Sequence, residues 1–315
     1  MKLPKFGVKA AVMTVATCFG FSAAAMAEFP ERPIQIINPW APGDSADIVM
    51  RKAAEYMSED LGVPVKVINR TGGGGIIGAT AIATARPDGY TLGLLTPGPA
   101  VTQVVMGNTT YGLDDLKPVG IFWDSPFVLA VRSDEPFSSM KELGDYVNAG
   151  NTVTLGSYAQ LAVPSLLANI AAEKTGFGYT RIIGLDPVST LSLGTGDADI
   201  VTLPDARALL QDESARGLLT LTNERISTLP DIPTFKEVYG EEASLWTGLF
   251  TPRDVPQEVF DVVSKAFQKA LEQDEIQEYA KSTGAYAYFL DSEGSSKRIH
   301  NEAERFKGMI DKLTN

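Results

Sequence analysis

From Pro33 onward the chain alternates short apolar, β-branched runs with segments of helical periodicity, an alternation that confines it to the α/β class. The first unit sets the pattern. Ile34–Asn38 is strand-like, Pro39-Trp40-Ala41-Pro42-Gly43 is a turn, and Ala46–Asp60 is a helix with Ile48, Ala53, Tyr56 and Met57 on one face. Asp44 and Ser45, both good N-cap types, mark the helix start. A strand entering a helix through such a loop aims the loop's N–H groups and the helix's positive end at one point. That point suits an anionic group.

Further strands are expected at Val63–Ile68, Thr91–Leu95, Lys117–Trp123, Pro126–Arg132, Thr152–Leu155, Arg181–Gly184, Ile200–Leu203, Leu218–Thr222 and Ser244–Phe250. Helices are expected at Ile76–Ala85, Val163–Thr175, Pro187–Leu193, Ala206–Gln211, Pro256–Gln273, Asp274–Ser282 and Ser295–Leu313. Another, Lys141–Asn148, opens behind a Ser139–Glu142 capping box. No repeat or low-complexity linker divides the chain, so domain boundaries are sought where strands cross between sheets. Crossings near Trp123–Phe127 and Asn223–Thr234 give a first domain of 28–124 with 230–315, and a second of 125–229.

The N-terminus reads as an export signal. Lys2, Lys5 and Lys9 precede an apolar stretch, Ala10–Met26, and Ala25-Met26-Ala27 offers a cleavage site. Residues 1–27 are therefore expected to be removed after Ala27, leaving a periplasmic chain. The single cysteine, Cys18, lies within that segment, so the mature chain has no disulfide and no thiolate metal site. A net charge of −12 argues against nucleic acid as a partner, and no later apolar run approaches the length needed for membrane insertion.

Gly73-Gly74-Gly75-Ile76-Ile77-Gly78 fits G-x-G-x-x-G, but Pro97, Gly98 and Pro99 stand where a dinucleotide site needs its acid. A tight strand-to-helix turn explains the glycines better. The only histidine, His300, sits among charged residues of the terminal helix and reads as solvated surface. Ser138 and Lys141 have serine–lysine spacing, but the capping box accounts for the stretch. Asp197 and Asp199 lie in a Gly-rich turn without a calcium-ligand pattern. No catalytic residue, metal site or cofactor is expected.

What remains is a set of loops at strand ends: Trp40, Ala41, Pro42, Gly43, Asp44 and Ser45; Thr96 and Pro97, extending to Pro99; Ser157, Tyr158 and Ala159; Pro204 and Asp205. In open α/β sheets ligands bind beyond the carboxyl ends of strands. These loops carry hydroxyls, N–H groups and an aromatic wall, a polar clamp without a nucleophile–base pair.

Several stretches resemble the extracytoplasmic substrate-binding receptors of tripartite tricarboxylate transporters, the Bug family. They are Phe29–Ile34, Pro39–Arg51, Val67–Gly74, Pro87–Leu92, Arg225 with Leu229–Thr234, and Trp246-Thr247-Gly248, in order along the mature chain. The resemblance implies a two-domain periplasmic-binding-protein fold of the second type, with a ligand cleft between domains that close. It also implies a small carboxylate ligand (an aliphatic di- or tricarboxylate or an aromatic acid) and delivery to integral membrane permease subunits. Carried over, Trp40–Ser45 faces Ser157–Ala159, with Thr96-Pro97 and Pro204-Asp205 as further walls. The family commonly has two or three glycines where Gly43 is here followed by Asp44 and Ser45, and a histidine where Tyr158 follows Ser157. Two rival readings are an exported ester or amide hydrolase, for which no nucleophile–base pair is found, and a receptor feeding a sensor.

Overall fold

In the computed structural model, Met1 and residues 29–314 are described, apart from Ala41, Asp44 and Asp186. The expected signal peptide, its cleavage site and Cys18 lie outside the described residues.

Among the described residues, eleven strands form two sheets. The first sheet contains β1 (Ile34–Asn38), β2 (Val65–Asn69), β3 (Thr91–Leu95) and β4 (Leu116–Ser125). The second contains β5 (Val128–Arg132), β6 (Thr154–Ser157), β7 (Arg181–Gly184), β8 (Ile200–Leu203) and β9 (Ala215–Thr220). The chain then returns to the first sheet for β10 (Leu245–Pro252) and β11 (Tyr286–Leu290). The spatial orders are β11-β4-β10-β3-β1-β2 and β7-β6-β8-β5-β9. β1 runs parallel to β2 and β3, and β6 parallel to β7 and β8, whereas β10 and β5 are antiparallel to their neighbours.

One core layer lies between the first sheet and three helices, Ser45–Leu61, Gln257–Leu271 and Asp274–Thr283. There Phe122 meets Phe267 edge-on at 5.2 Å, and Trp123 stacks with Tyr279 at 6.3 Å. Two smaller clusters centre on Val201 and on Ile226, and a second large layer is continuous across both sheets. It joins Ile121, Trp246 and Phe306 to Leu129, Leu155 and Leu166. Two packed layers of helix on sheet are what such alternating patterns dictate.

Some expectations needed correction. Tyr286–Leu290 was not anticipated as a strand; it pairs antiparallel to β4 at the sheet edge. The expected Pro187–Leu193 helix is observed only as Leu191–Gly194, because Ser189 and Thr190 are weak helix formers at its start. The Ser139 box forms by half: Ser139 Oγ accepts the Glu142 N–H at 3.2 Å, but the Glu142 carboxylate takes the Ser138 N–H and hydroxyl. Lys141 pairs with Asp145 at 2.6 Å, so Ser138 and Lys141 form no dyad. His300 Nε2 lies 3.2 Å from Asp114 on the surface.

Candidate ligand-binding site

The register places the expected loops at the ends of the sheets where the chain crosses between them. In the first sheet Ile37 lies opposite Gly93, Leu95 opposite Gly248, and Ser125 opposite Leu245. The loops after β1 and β3 therefore emerge beside the crossings. In the second sheet Leu203 lies opposite Val128, and Ser157 and Thr202 share a hydrogen bond at 2.7 Å. The loops after β6 and β8 emerge there too. Phe127, carried by the first crossing, meets the Tyr158 ring edge-on at 6.5 Å.

The loop after β1 is held by a network that the sequence reading missed. Asp47, buried in the first turn of helix Ser45–Leu61, accepts from Asn38 Nδ2 at 2.8 Å and from the Gly43 N–H at 3.0 Å. Arg51, one turn on, grips both its oxygens, Nε to Oδ2 at 2.9 Å and Nη2 to Oδ1 at 3.0 Å. Arg51 Nη2 also donates to Asn69 Oδ1 at 2.8 Å, and Asn69 Nδ2 donates to the Trp40 carbonyl at 2.8 Å. The Trp40 N–H closes the circuit on Asn38 Oδ1 at 3.1 Å. Burial by itself raises the Asp47 carboxyl, but the bonds from Arg51, Asn38 and Gly43 outweigh it and hold it below the usual carboxylate range. The signal available in the sequence was the i,i+4 acid–base pair on the first helix.

Glycines let this loop pack closely. A Cβ at Gly75, where φ is +92°, would lie 3.3 Å from the Trp40 ring and 3.0 Å from Pro99. One at Gly78 would lie 2.8 Å from Pro39 Cβ and 3.0 Å from the Arg70 carbonyl oxygen. The glycine run is thus a turn of close backbone approach, as expected from sequence. The Trp40 ring is partly buried, and its Nε1 is buried with no hydrogen-bond partner.

Pro42 and Gly43 are exposed, and Ser45 is the first helical residue and partly buried. Ala41 and Asp44 lie outside the described residues. Thr96 is partly buried, and its carbonyl accepts the Ala100 N–H at 3.1 Å; Pro97 beside it is buried. Ser157 is fully buried, its hydroxyl engaged with Thr202. Tyr158 and Ala159 are exposed, and the Ala159 carbonyl accepts Ser165 Oγ at 2.6 Å. Pro204 and Asp205 are partly buried, and Asp205 is held by Arg207, whose Nε lies 3.0 Å from both its oxygens. Asp47 and Asp205 are therefore both paired with arginine, which limits the repulsion either exerts on an anion nearby.

Two mixed sheets joined by two crossings, with polar loops gathered at the junction, define a two-lobed solute-binding protein. The model of the tripartite tricarboxylate transporter family receptor, TctC, matches residues 49–314, and the chain belongs to that family. It is 31% identical over 309 residues to the protein BugT of Bordetella pertussis, covering 92% of each chain. Among solved structures it resembles the periplasmic binding protein BugD at 28% identity and a TM-score of 0.72, covering 90% of this chain and 98% of that one. It also resembles the R. palustris protein Rpa4515 with adipate, at 25% identity and a TM-score of 0.74, with the same coverage. The chain is accordingly a periplasmic solute-binding receptor rather than an enzyme. No described helix is long and apolar enough to cross a membrane.

Proposed function

We propose that the receptor, exported by its 27-residue signal peptide, captures a small organic carboxylate between two closing lobes and delivers it to a tripartite tricarboxylate-type permease. Residues 28–124 with 230–315 make one lobe and 125–229 the other. The loops Trp40–Ser45 and Thr96-Pro97 face Ser157–Ala159 and Pro204-Asp205 across the cleft. The observation that carries this reading is the network behind the first loop. Asp47 and Arg51 pair with each other, so the neighbouring helix start can present its N–H groups outward, as a carboxylate requires. Rpa4515 with adipate supports an acid as ligand.

A thermal-shift screen of the ligand-stripped mature chain tests it, using mono-, di- and tricarboxylates, aromatic acids and acidic amino acids with their amides as controls. An acid at 100 times its Kd should stabilise the fold by about 2.7 kcal/mol. Stabilisation by an acid but not by its amide is expected. Response to neutral or cationic solutes alone would remove the carboxylate and leave the receptor.

A further inference from the structure

A polar cluster outside the proposed ligand site lies where both crossings join the first sheet. Asp124 is the penultimate residue of β4, just before the first crossing, and Ser244 directly precedes β10, at the end of the second. The register sets Trp246 opposite Asp124 and Leu245 opposite Ser125. Arg298, from the terminal helix Ser292–Thr314, reaches into this corner. Its Nη2 donates to Ser244 Oγ, and its Nη1 to Tyr288 Oη at 3.0 Å. Both hydroxyls donate in turn to Asp124 Oδ1, at 2.8 and 3.0 Å. On its other side Arg298 Nε donates to Glu302 Oε1 at 3.1 Å, while Glu302 Oε2 accepts Trp246 Nε1 at 2.8 Å.

Beyond this corner the connecting segments bond each other. The Leu221 N–H donates to the Phe127 carbonyl at 2.8 Å, and the Ala243 N–H to Asn223 Oδ1 at 2.9 Å. A cavity of about 480 Å³ opens beside the cluster. It is lined by Arg298, Glu302 and Phe306 of the terminal helix, by Glu241 of the second crossing, and by Leu167 beneath the second sheet.

We infer that Arg298 is a positioning residue for closure: it pins both crossings to the first lobe at one point, so that bending is confined to the residues beyond it. The inference rests on the reading of two closing lobes given above. A hinge needs a fixed base and a few residues that absorb the rotation. An arginine suits that base because its planar fork serves several acceptors at once, which a lysine cannot do. An ion pair that only stabilised the fold would have no need to engage the roots of both crossings.

Two variants separate these roles. Ser244→Ala removes the hydroxyl between Arg298 and Asp124 and keeps every charge. Arg298→Lys keeps the charge and loses the fork. The probe is whichever of adipate, malate, citrate, glutamate and benzoate stabilises wild type most. Its dissociation rate and the change in scattering radius on binding are measured well below each variant's Tm. Both variants should release the probe at least about five-fold faster and contract less than wild type, with Arg298→Lys the more affected. In the ligand-free protein, hydrogen exchange should accelerate at the Phe127 and Leu221 amides and not at Ile36 or Leu155. Wild-type dissociation and contraction in a variant of lowered Tm would overturn the inference, leaving Arg298 a stabilising residue only. If wild type contracts with none of the acids, the closure reading fails separately. The exchange pattern then decides: acceleration confined to the hinge amides supports the anchor, and its absence overturns it.

Discussion

The network behind the Trp40 loop and the cluster around Arg298 are both arginine–carboxylate systems, but their acids are shifted in opposite directions. Asp47 receives the whole fork of Arg51 together with Asn38 and the Gly43 N–H, and its carboxyl lies below the ordinary range despite burial. Around Arg298 two acids share one cation. Burial raises Asp124, and Arg298, Ser244 and Tyr288 offset it only in part, with Glu242 adding repulsion. Burial raises Glu302 as well, against Arg298 and Trp246, with Asp124 opposing them. The depth of burial together with the number of donors per acid, rather than the presence of an arginine, decides the sign. One network is a satisfied frame behind a loop; the other sets two buried acids against one cation at the roots of both crossings.

The largest effect should come from Asp47→Asn. It leaves Arg51 without its carboxylate, and because the Arg51 side chain is 41% exposed, water recovers part of the loss. A cost of about 2–3 kcal/mol is expected in urea unfolding at neutral pH, with weaker ligand stabilisation. A loss under about 0.5 kcal/mol would mean that the frame is not what holds the loop.

Gly78→Ala attacks the same frame by packing. Its Cβ would meet Pro39 and the Arg70 carbonyl, neither of which can swing aside. About 1–3 kcal/mol should be lost, measurable in the same unfolding series.

Glu302→Gln tests the other side of the comparison. The amide keeps an acceptor for Trp246 but turns its NH2 toward the Arg298 Nε–H; removing one of two competing charges offsets that loss, so its cost at neutral pH should stay below about 1 kcal/mol. The pH dependence sharpens the contrast. Asp47 has a folded pKa below its unfolded value, so its contribution is present above the ordinary carboxylate range and is lost as pH falls through the folded pKa. Asp124 and Glu302 have raised folded pKa values, so theirs is complete below that range and is lost as pH rises through the folded pKa. Unfolding free energies measured from neutral to acid pH should therefore converge for wild type and Asp47→Asn on acidification. Glu302→Gln should gain on wild type as pH rises.

The smallest effect is expected from Trp40→Phe. It keeps an aromatic ring but withdraws the outer indole carbons that pack at Gly75, and it removes a buried N–H with no protein partner; the two effects oppose each other, so stability should change by less than about 0.5 kcal/mol. A loss above about 1 kcal/mol would show that the lost ring packing, or a water on that N–H, outweighs the relief of the unpartnered donor.

Much of the fold was legible because its signals are local. Thr91–Leu95, Val163–Thr175, Arg181–Gly184 and Ile200–Leu203 are read correctly to the residue from apolar runs bounded by turns. Tyr286–Leu290 was missed because all five residues are partly buried and show no alternation, in a short stretch between two strongly amphipathic helices. In the site, the turn after β1 was legible from its prolines and glycine. The network behind it was not, since Asn38 and Asn69 become partners only when β1 and β2 pair in register.

The sequence by itself determined the α/β class, most of the order of strands and helices and the loops that end the strands, because period and turn chemistry act over a few residues. Only the tertiary structure decided that Asp47 faces Arg51, Asn38 and Gly43 together, that Asp205 is drawn onto Arg207, and that Arg298 reaches the roots of both crossings. Strand register and helix packing bring those groups together. Their charge states follow from how many donors arrive and how much water leaves, and no local pattern encodes either.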